Sequence, residues 1–194
     1  MLEHMNDGDD GGELPAWARA GREGWTWTGR ARPPFAITPG PGQESVWDYP
    51  RPPRLVPDER EIVVQWGARE IARTRAAVRL LETSHPPTFY LPRADVDASV
   101  LVRVSGGSLC EWKGACSYYD VVADGQRIER GAWSYERPFA EAAVIAGHVA
   151  FYADRLACFV GGERARPQQG GFYGGWITSE LVGPFKGEPG TRGW

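Results

Sequence analysis

Lysine is nearly missing from this sequence. Of its 22 basic residues only Lys113 and Lys186 are lysines, each between an aromatic residue and a glycine, in Trp112-Lys113-Gly114 and Phe185-Lys186-Gly187. A GC-rich coding sequence favours Arg, Ala, Gly and Pro and accounts for the scarcity. It leaves unexplained why these two positions keep a compact, titratable ammonium rather than a planar guanidinium. Other shortages exclude whole classes. The 22 Lys and Arg stand against 25 Asp and Glu, a net charge of −3, so no cationic surplus exists to displace counterions from a nucleic acid backbone. No apolar run approaches the roughly eighteen residues a membrane span needs, and no basic stretch followed by an apolar one opens the chain. The expectation is a soluble, cytoplasmic protein with neither nucleic acid nor membrane as partner. Cys110, Cys116 and Cys158 are too few for a disulfide framework and contain no Cys-x-x-Cys pair. With His85 and His148 they offer no local ligand spacing, so neither a metal nor an organic cofactor is expected.

What is present suits one globular domain: 194 residues, 42% of them hydrophobic. Residues 1–4 read as a vector-derived remnant, because Leu-Glu and His-Met are encoded by two common restriction sites. Residues 5–58 are rich in Pro, Gly and Asp, carry nine of the sixteen prolines and show no apolar period of 2 or 3.6. They are expected to form an irregular or extended arm. Trp17, Trp25, Trp27, Trp47 and Tyr49 are costly to leave in water, so the arm should dock, on the domain or on a partner chain, chiefly through Trp47-Asp48-Tyr49-Pro50-Arg51-Pro52-Pro53. Residues 59–161 read as a compact β domain. Strands are predicted over Glu61–Trp66, Glu70–Arg73, Ala77–Glu82, Thr88–Leu91, Lys113–Val122, Arg127–Tyr135 and, interrupted near Ala153-Asp154, Val149–Val160. Asp124-Gly125 supplies a hairpin turn. Asp95 is placed to cap a short helix to about Leu101, and Pro138–Ala146 reads as another, ended by Gly147. Residues 162–194 form a Gly-aromatic strap over the core, with a lid or an oligomer contact as its functional reading.

Two polar groups could carry chemistry. Before Pro86-Pro87 the backbone must be extended, so Glu82 and Ser84 are predicted on one side and Arg79, Leu81, Thr83 and His85 on the other. His85 is a candidate base or a loop histidine, and Glu82 beside Arg79 a candidate charge pair. In the second group, strand period 2 places Lys113, Ser117 and Tyr119 on one face and Trp112, Cys116 and Tyr118 on the opposite one. Lys113 facing a cavity would be an acid, base or imine-forming amine, unless its ammonium pairs with Glu82 or Glu111. Cys110 with a histidine is a weaker nucleophile candidate. Trp133 and Tyr135 present two large aromatics on one strand face, as core or as pocket wall.

Several stretches resemble, in order, the bacterial and fungal family catalogued as domain of unknown function 427. They are Leu81 to Pro92, Asp95-Val96, Cys110 to Gly114, Ala132 to Tyr135, and Gly147 to Tyr152, covering about Arg60 to Val160; Trp47 to Pro50 and the Gly-aromatic and Phe185-Lys186-Gly187 stretches resemble the longer actinobacterial members. The resemblance implies a compact, mainly β, β-tent-like single domain with strands curled around a central cavity, to which the reading of the residues adds one or two short helices and extended N- and C-terminal arms. The zinc that β-tent proteins often hold through cysteine pairs does not carry over, for this chain has no such pair. The family's nucleotidyltransferase label implies Gly-Ser followed by two alternating carboxylates for magnesium. Here Gly107-Ser108 is followed by Asp120, but Val122 stands where the second carboxylate belongs and Asp124 is a turn residue.

The expected function is a small-molecule enzyme doing proton-transfer chemistry, such as isomerisation, cyclisation or addition, in a pocket of the β domain. Lys113 is expected as acid or electrostatic stabiliser and Glu82 or His85 as base, with Arg79, Tyr90, Tyr118, Trp133 and Tyr135 binding substrate. The alternatives are a non-catalytic ligand-binding or homodimeric interaction module, and nucleotide transfer.

Overall fold

The computed structural model describes residues 15–191, 193 and 194; the expected remnant at 1–4 lies outside them. In chain order the first strands are β1 (Glu44–Ser45), β2 (Arg54–Asp58), β3 (Ile62–Trp66), β4 (Arg69–Thr74), β5 (Ala77–Leu81) and β6 (Thr88–Tyr90). The meander follows as β7 (Leu101–Cys110), β8 (Gly114–Ala123), β9 (Gln126–Ser134) and β10 (Val149–Phe151). Then come β11 (Ala157–Val160), β12 (Glu163–Arg164), β13 (Arg166–Pro167), β14 (Trp176–Ile177) and β15 (Leu181–Val182). One α-helix, α1 (Ala16–Arg22), precedes them.

The molecule is mainly β, as expected. The strands form a four-stranded sheet in the order β10-β9-β8-β7, a second ordered β12-β11-β3-β4, a three-stranded sheet β2-β5-β6 and two ribbons, β13-β14 and β1-β15. The hairpin at Asp124-Gly125 forms with positive φ at both residues, which matches the twist of the strands it joins.

Strand periodicity divides the interior in two. Along β6, β8 and β10 the residues Phe89, Tyr119, Val121, Val149 and Phe151 face an aliphatic core closed by Ile62, Val64, Ile71 and Cys158 from the second sheet. Their neighbours Tyr90, Cys116, Tyr118, Ala150 and Tyr152 face the other way and join Trp133 and Tyr135. Branched aliphatic side chains interdigitate to crystal density. Large planar rings with polar edges leave space between them, and the cavity described below opens on that side.

Four expectations are corrected. The ordered sheet begins at Arg54, not near residue 59, because β2 pairs residue for residue with β5. β7 is absent from the expected strands: it is an exposed edge strand, bulged around Gly106-Gly107, so no buried face marks it. The helices expected from Asp95 and Pro138 are 3₁₀ turns at Arg93–Asp95, Ala98–Val100 and Ala140–Ile145. Asp97, not Asp95, provides the cap at Ser99, while Asp95 accepts a hydrogen bond from the Thr74 hydroxyl.

The arms are part of the domain. β1 runs parallel to β15, and Val46, Trp47, Tyr49, Leu81 and Leu181 form a third buried cluster. The Trp47 ring meets Trp27, Phe35 and Trp194, and its indole N–H donates to the Pro184 carbonyl at 3.0 Å. The arm therefore docks on its own chain. Trp47 is fully buried, so Trp47→Ala is expected to lower the unfolding free energy by about 3–5 kcal/mol, read as a reduced urea midpoint; an arm that is a mere appendage would leave the midpoint unchanged.

Candidate functional site

The site begins at the end of β5. Glu82 to His85 form a turn closed by the His85 N–H on the Glu82 carbonyl at 3.0 Å, with Ser84 at φ +71°. That conformation is disfavoured for a residue with a Cβ. Two main-chain bonds hold it: Ser84 N–H donates to Val46 O at 3.0 Å, and Lys186 N–H donates to Ser84 O at 2.9 Å. The turn breaks the expected alternation, so Glu82 and His85 line one cavity together.

Lys113 arrives from another element. It ends the turn between β7 and β8, where Gly114 adopts φ +93° beneath the Phe139 ring and the Phe139 N–H bonds the Lys113 carbonyl. This interruption reverses the predicted parity. Lys113 shares the cavity with Cys116 and Tyr118, whereas Ser117 bonds Arg103 and Tyr119 bonds Glu136 elsewhere.

The cavity has a volume of about 290 Å³, and Glu82, His85, Tyr90, Lys113, Tyr118, Trp133 and Tyr135 all line it. Arg79 does not. On β5 it lies on the face opposite Val78 and Leu80 and is held by Glu44 at 3.0 Å and Asp58 at 3.7 Å. The cation on Glu82 is instead Arg51, at 3.3 Å, and its guanidinium also bonds Thr83 O and Trp27 O. Trp25, Gln168, Tyr173 and Lys186 complete the wall and are absent from the expected site residues. The repeated aromatic-Lys-Gly frame is a signal for Lys186, since both lysines of the chain face this one space. Trp25 and Gln168 carry no local signal. The strap crosses at Gly174 and Gly175; a Cβ at Gly174 would lie 2.0 Å from the Trp133 ring, so only glycine permits the approach.

The hydrogen-bond network fixes the state of His85. Gln168 Oε1 accepts from Gly175 N–H at 3.1 Å, and Gln168 Nε2 donates to Lys186 O at 2.7 Å. Main-chain atoms thus define which end of the amide is which, and Nε2 also donates to His85 Nδ1 at 2.9 Å. His85 is therefore the Nε2–H tautomer. Burial lowers its pKa to about 4, against the opposing pull of Glu82, so it is neutral and its Nε2 is a donor. Of the two expected bases, His85 is corrected to a hydrogen-bond donor.

Burial pushes the Glu82 carboxyl up, but His85, Lys113, Arg51 and Lys186 outweigh it and hold it below the usual carboxylate range. Its Oε2 accepts no hydrogen bond from the described residues. Lys113 is only 7% exposed, with Nζ 5.6 Å from the Tyr135 ring centroid. Burial acts to discharge it, yet Cys110, Tyr90 and Glu82 raise its pKa above the ordinary lysine value. Lys186 differs: burial and then Arg51 lower its pKa, and its ammonium donates to Trp194 O at 2.5 Å above the Trp25 ring. Cys110 lies beside Lys113 rather than under a histidine base, and Cys116 is pushed up to about 11, chiefly by burial. Asp120 is engaged by Arg127 and the Arg130 N–H and does not line the cavity that Ser108 lines. Among the described residues no group of three or more His, Cys, Asp or Glu side chains is arranged to hold a metal ion, and no helix is long and apolar enough to cross a membrane.

A mainly β domain with a polar, aromatic-walled cavity defines the class. The chain belongs to the family described as Domain of unknown function (DUF427), whose family model matches residues 54–162. No curated protein matches the chain.

The buried neutral imidazole couples stability to pH. Unfolded, His85 takes up a proton below its ordinary value of 6.5; folded, it does so only near 4. Its contribution, about 3 kcal/mol, is complete above pH 6.5 and lost as pH falls toward 4. Urea unfolding at pH 7 and 4.5 should show a smaller loss in His85→Gln than in the wild type. Nitrogen-15 NMR should show His85 protonated on Nε2 at pH 6.

Proposed function

We propose that this protein is an enzyme that moves protons on a small carbonyl-bearing molecule held in the cavity. The observation that carries the reading is convergence: a carboxylate and a neutral imidazole N–H from the turn after β5 and a buried ammonium from the turn between β7 and β8 reach one space. Glu82 is ionised and its Oε2 free to accept, so it removes a proton from carbon next to a carbonyl. The C–H electron pair becomes the enolate, and the charge developing on oxygen is met by the Nε2–H of His85 and the ammonium of Lys113. Preorganised donors in a water-poor site contribute about 10²–10³ in rate each. Return of the proton to a different carbon or face gives the isomer. Aromatic rings exclude water, and Gln168 keeps the imidazole proton on the cavity side.

One observation favours a second reading, a binding protein without turnover: a carboxylate held at low pKa is a weak base. Trp47 and Tyr49 of the arm are buried in a cluster of this same chain, which favours a pocket over a homodimer surface built on them.

Solvent deuterium exchange into the methylene of phenylpyruvate, followed by proton NMR, tests the proposal. Exchange faster than in buffer is expected. Glu82→Gln should lower the acceleration at least 100-fold and Lys113→Met at least tenfold. Exchange no faster than buffer with the probe bound, or full activity in Glu82→Gln, would leave the binding-protein reading.

A further inference from the structure

We infer that the cavity takes a small, flat, singly charged carboxylic acid, its carboxylate on Lys113 Nζ and its π-system against the aromatic walls. The inference rests on the cavity described above and adds the class of molecule.

The charge comes first. A buried ammonium almost always meets oxygen acceptors. Lys113 is 93% buried by its 7% exposure, yet among the described residues its Nζ forms no ion pair and no hydrogen bond to oxygen; it faces a ring and the Cys110 sulfur. It lines the cavity, so its remaining donors are directed at a ligand. Lys186 is different, because its ammonium is already spent on Trp194 O. The carboxylate therefore belongs at Lys113.

The number of charges follows from the wall. Glu82 is paired with Arg51 and Lys186 is bound to Trp194 O, so among the described residues Lys113 is the one lining cation left for a ligand. A monoanion neutralises it. A phosphate monoester, close to doubly charged at neutral pH, would confront two carboxylates and find no guanidinium fork, because Arg51 is committed to Glu82, Thr83 O and Trp27 O.

The shape follows from what the wall lacks. Nine of the 23 lining residues are aromatic, against two leucines and no Ile or Val. Aliphatic chains are bound by aliphatic walls, whereas tryptophan and tyrosine faces suit a planar π-system. A volume of about 290 Å³ is at the small end of ligand pockets, which run from about 300 to 1,000 Å³, so the molecule is of one-ring size.

Isothermal titration of the full chain with four probes separates these contributions. trans-Cinnamate carries ring and carboxylate, trans-cinnamamide removes the charge, 3-cyclohexylpropanoate removes the ring, and phenyl phosphate adds a charge. Cinnamate is expected to bind, and the other three at least tenfold more weakly. Lys113→Met should equalise cinnamate and cinnamamide, whereas Lys186→Met should change their ratio by less than threefold. The amide, the cyclohexyl acid or the phosphate binding as tightly as cinnamate overturns the inference, as does absence of cinnamate binding. The wild-type comparison alone decides if Lys113→Met fails to fold. Cinnamate binding is read without turnover: if it holds while phenylpyruvate exchange fails, proton transfer falls and the ligand class stands. If exchange is accelerated but the probes are not distinguished, only the ligand class falls.

Discussion

Two main-chain hydrogen bonds at Ser84, one donated to Val46 and one accepted from Lys186, tie the arms to the strand end that carries Glu82 and His85. Ser84 is fully buried and holds a left-handed conformation, and its hydroxyl has no partner among the described residues. The turn is thus unfavourable in isolation and depends on what surrounds it. In return it sets Glu82 and His85 toward one side and places Lys186 beside them. The packing of the aromatic cluster around Trp47 keeps both arms in reach of those bonds, so burial far from the cavity determines the geometry inside it.

The second organising feature is the difference between the two faces of the meander sheet. One packs shut against a core in which branched aliphatic residues surround Phe89, Phe151 and Trp176. The other carries tyrosines and tryptophans whose rings leave room for a molecule. Electrostatics then divides the labour. Arg51 neutralises Glu82 from outside the cavity, Gln168 assigns the imidazole proton, and Lys113 is left with a charge that the described residues do not satisfy with oxygen.

Much of this is legible in the chain. Strand positions follow from β-branched and aromatic runs between turn residues, and seven of the eight expected site residues line the cavity. The errors share a cause. Period-2 reasoning assumes unbroken extended backbone, and it fails at Ser84 and Gly114, where positive φ resets the alternation. It also fails for β7, whose exposed edge has no hydrophobic face to detect. Arg79 is misplaced by the opposite mistake: the alternation of β5 does hold there and turns Arg79 away from Leu80. Gln168, Trp25 and Arg51 are invisible because their roles depend on long-range docking, and nothing in their local sequence distinguishes them from loop residues. Lys186 is recoverable, since the scarcity of lysine and the repeated aromatic-Lys-Gly frame mark both lysines in the amino-acid sequence alone.

The cavity wall also separates two boundaries that are easily confused. The family match covers residues 54–162, but Trp25, Gln168, Tyr173 and Lys186 lie outside it. Within the matched segment the aromatic face is a trough open on one side; the arms roof it, choose the tautomer of its imidazole and supply its second lysine. Homology and chemistry therefore have different edges in this molecule. Relatives that share the strands but carry other arms would keep the same floor under a different ceiling, without a change in the sheet.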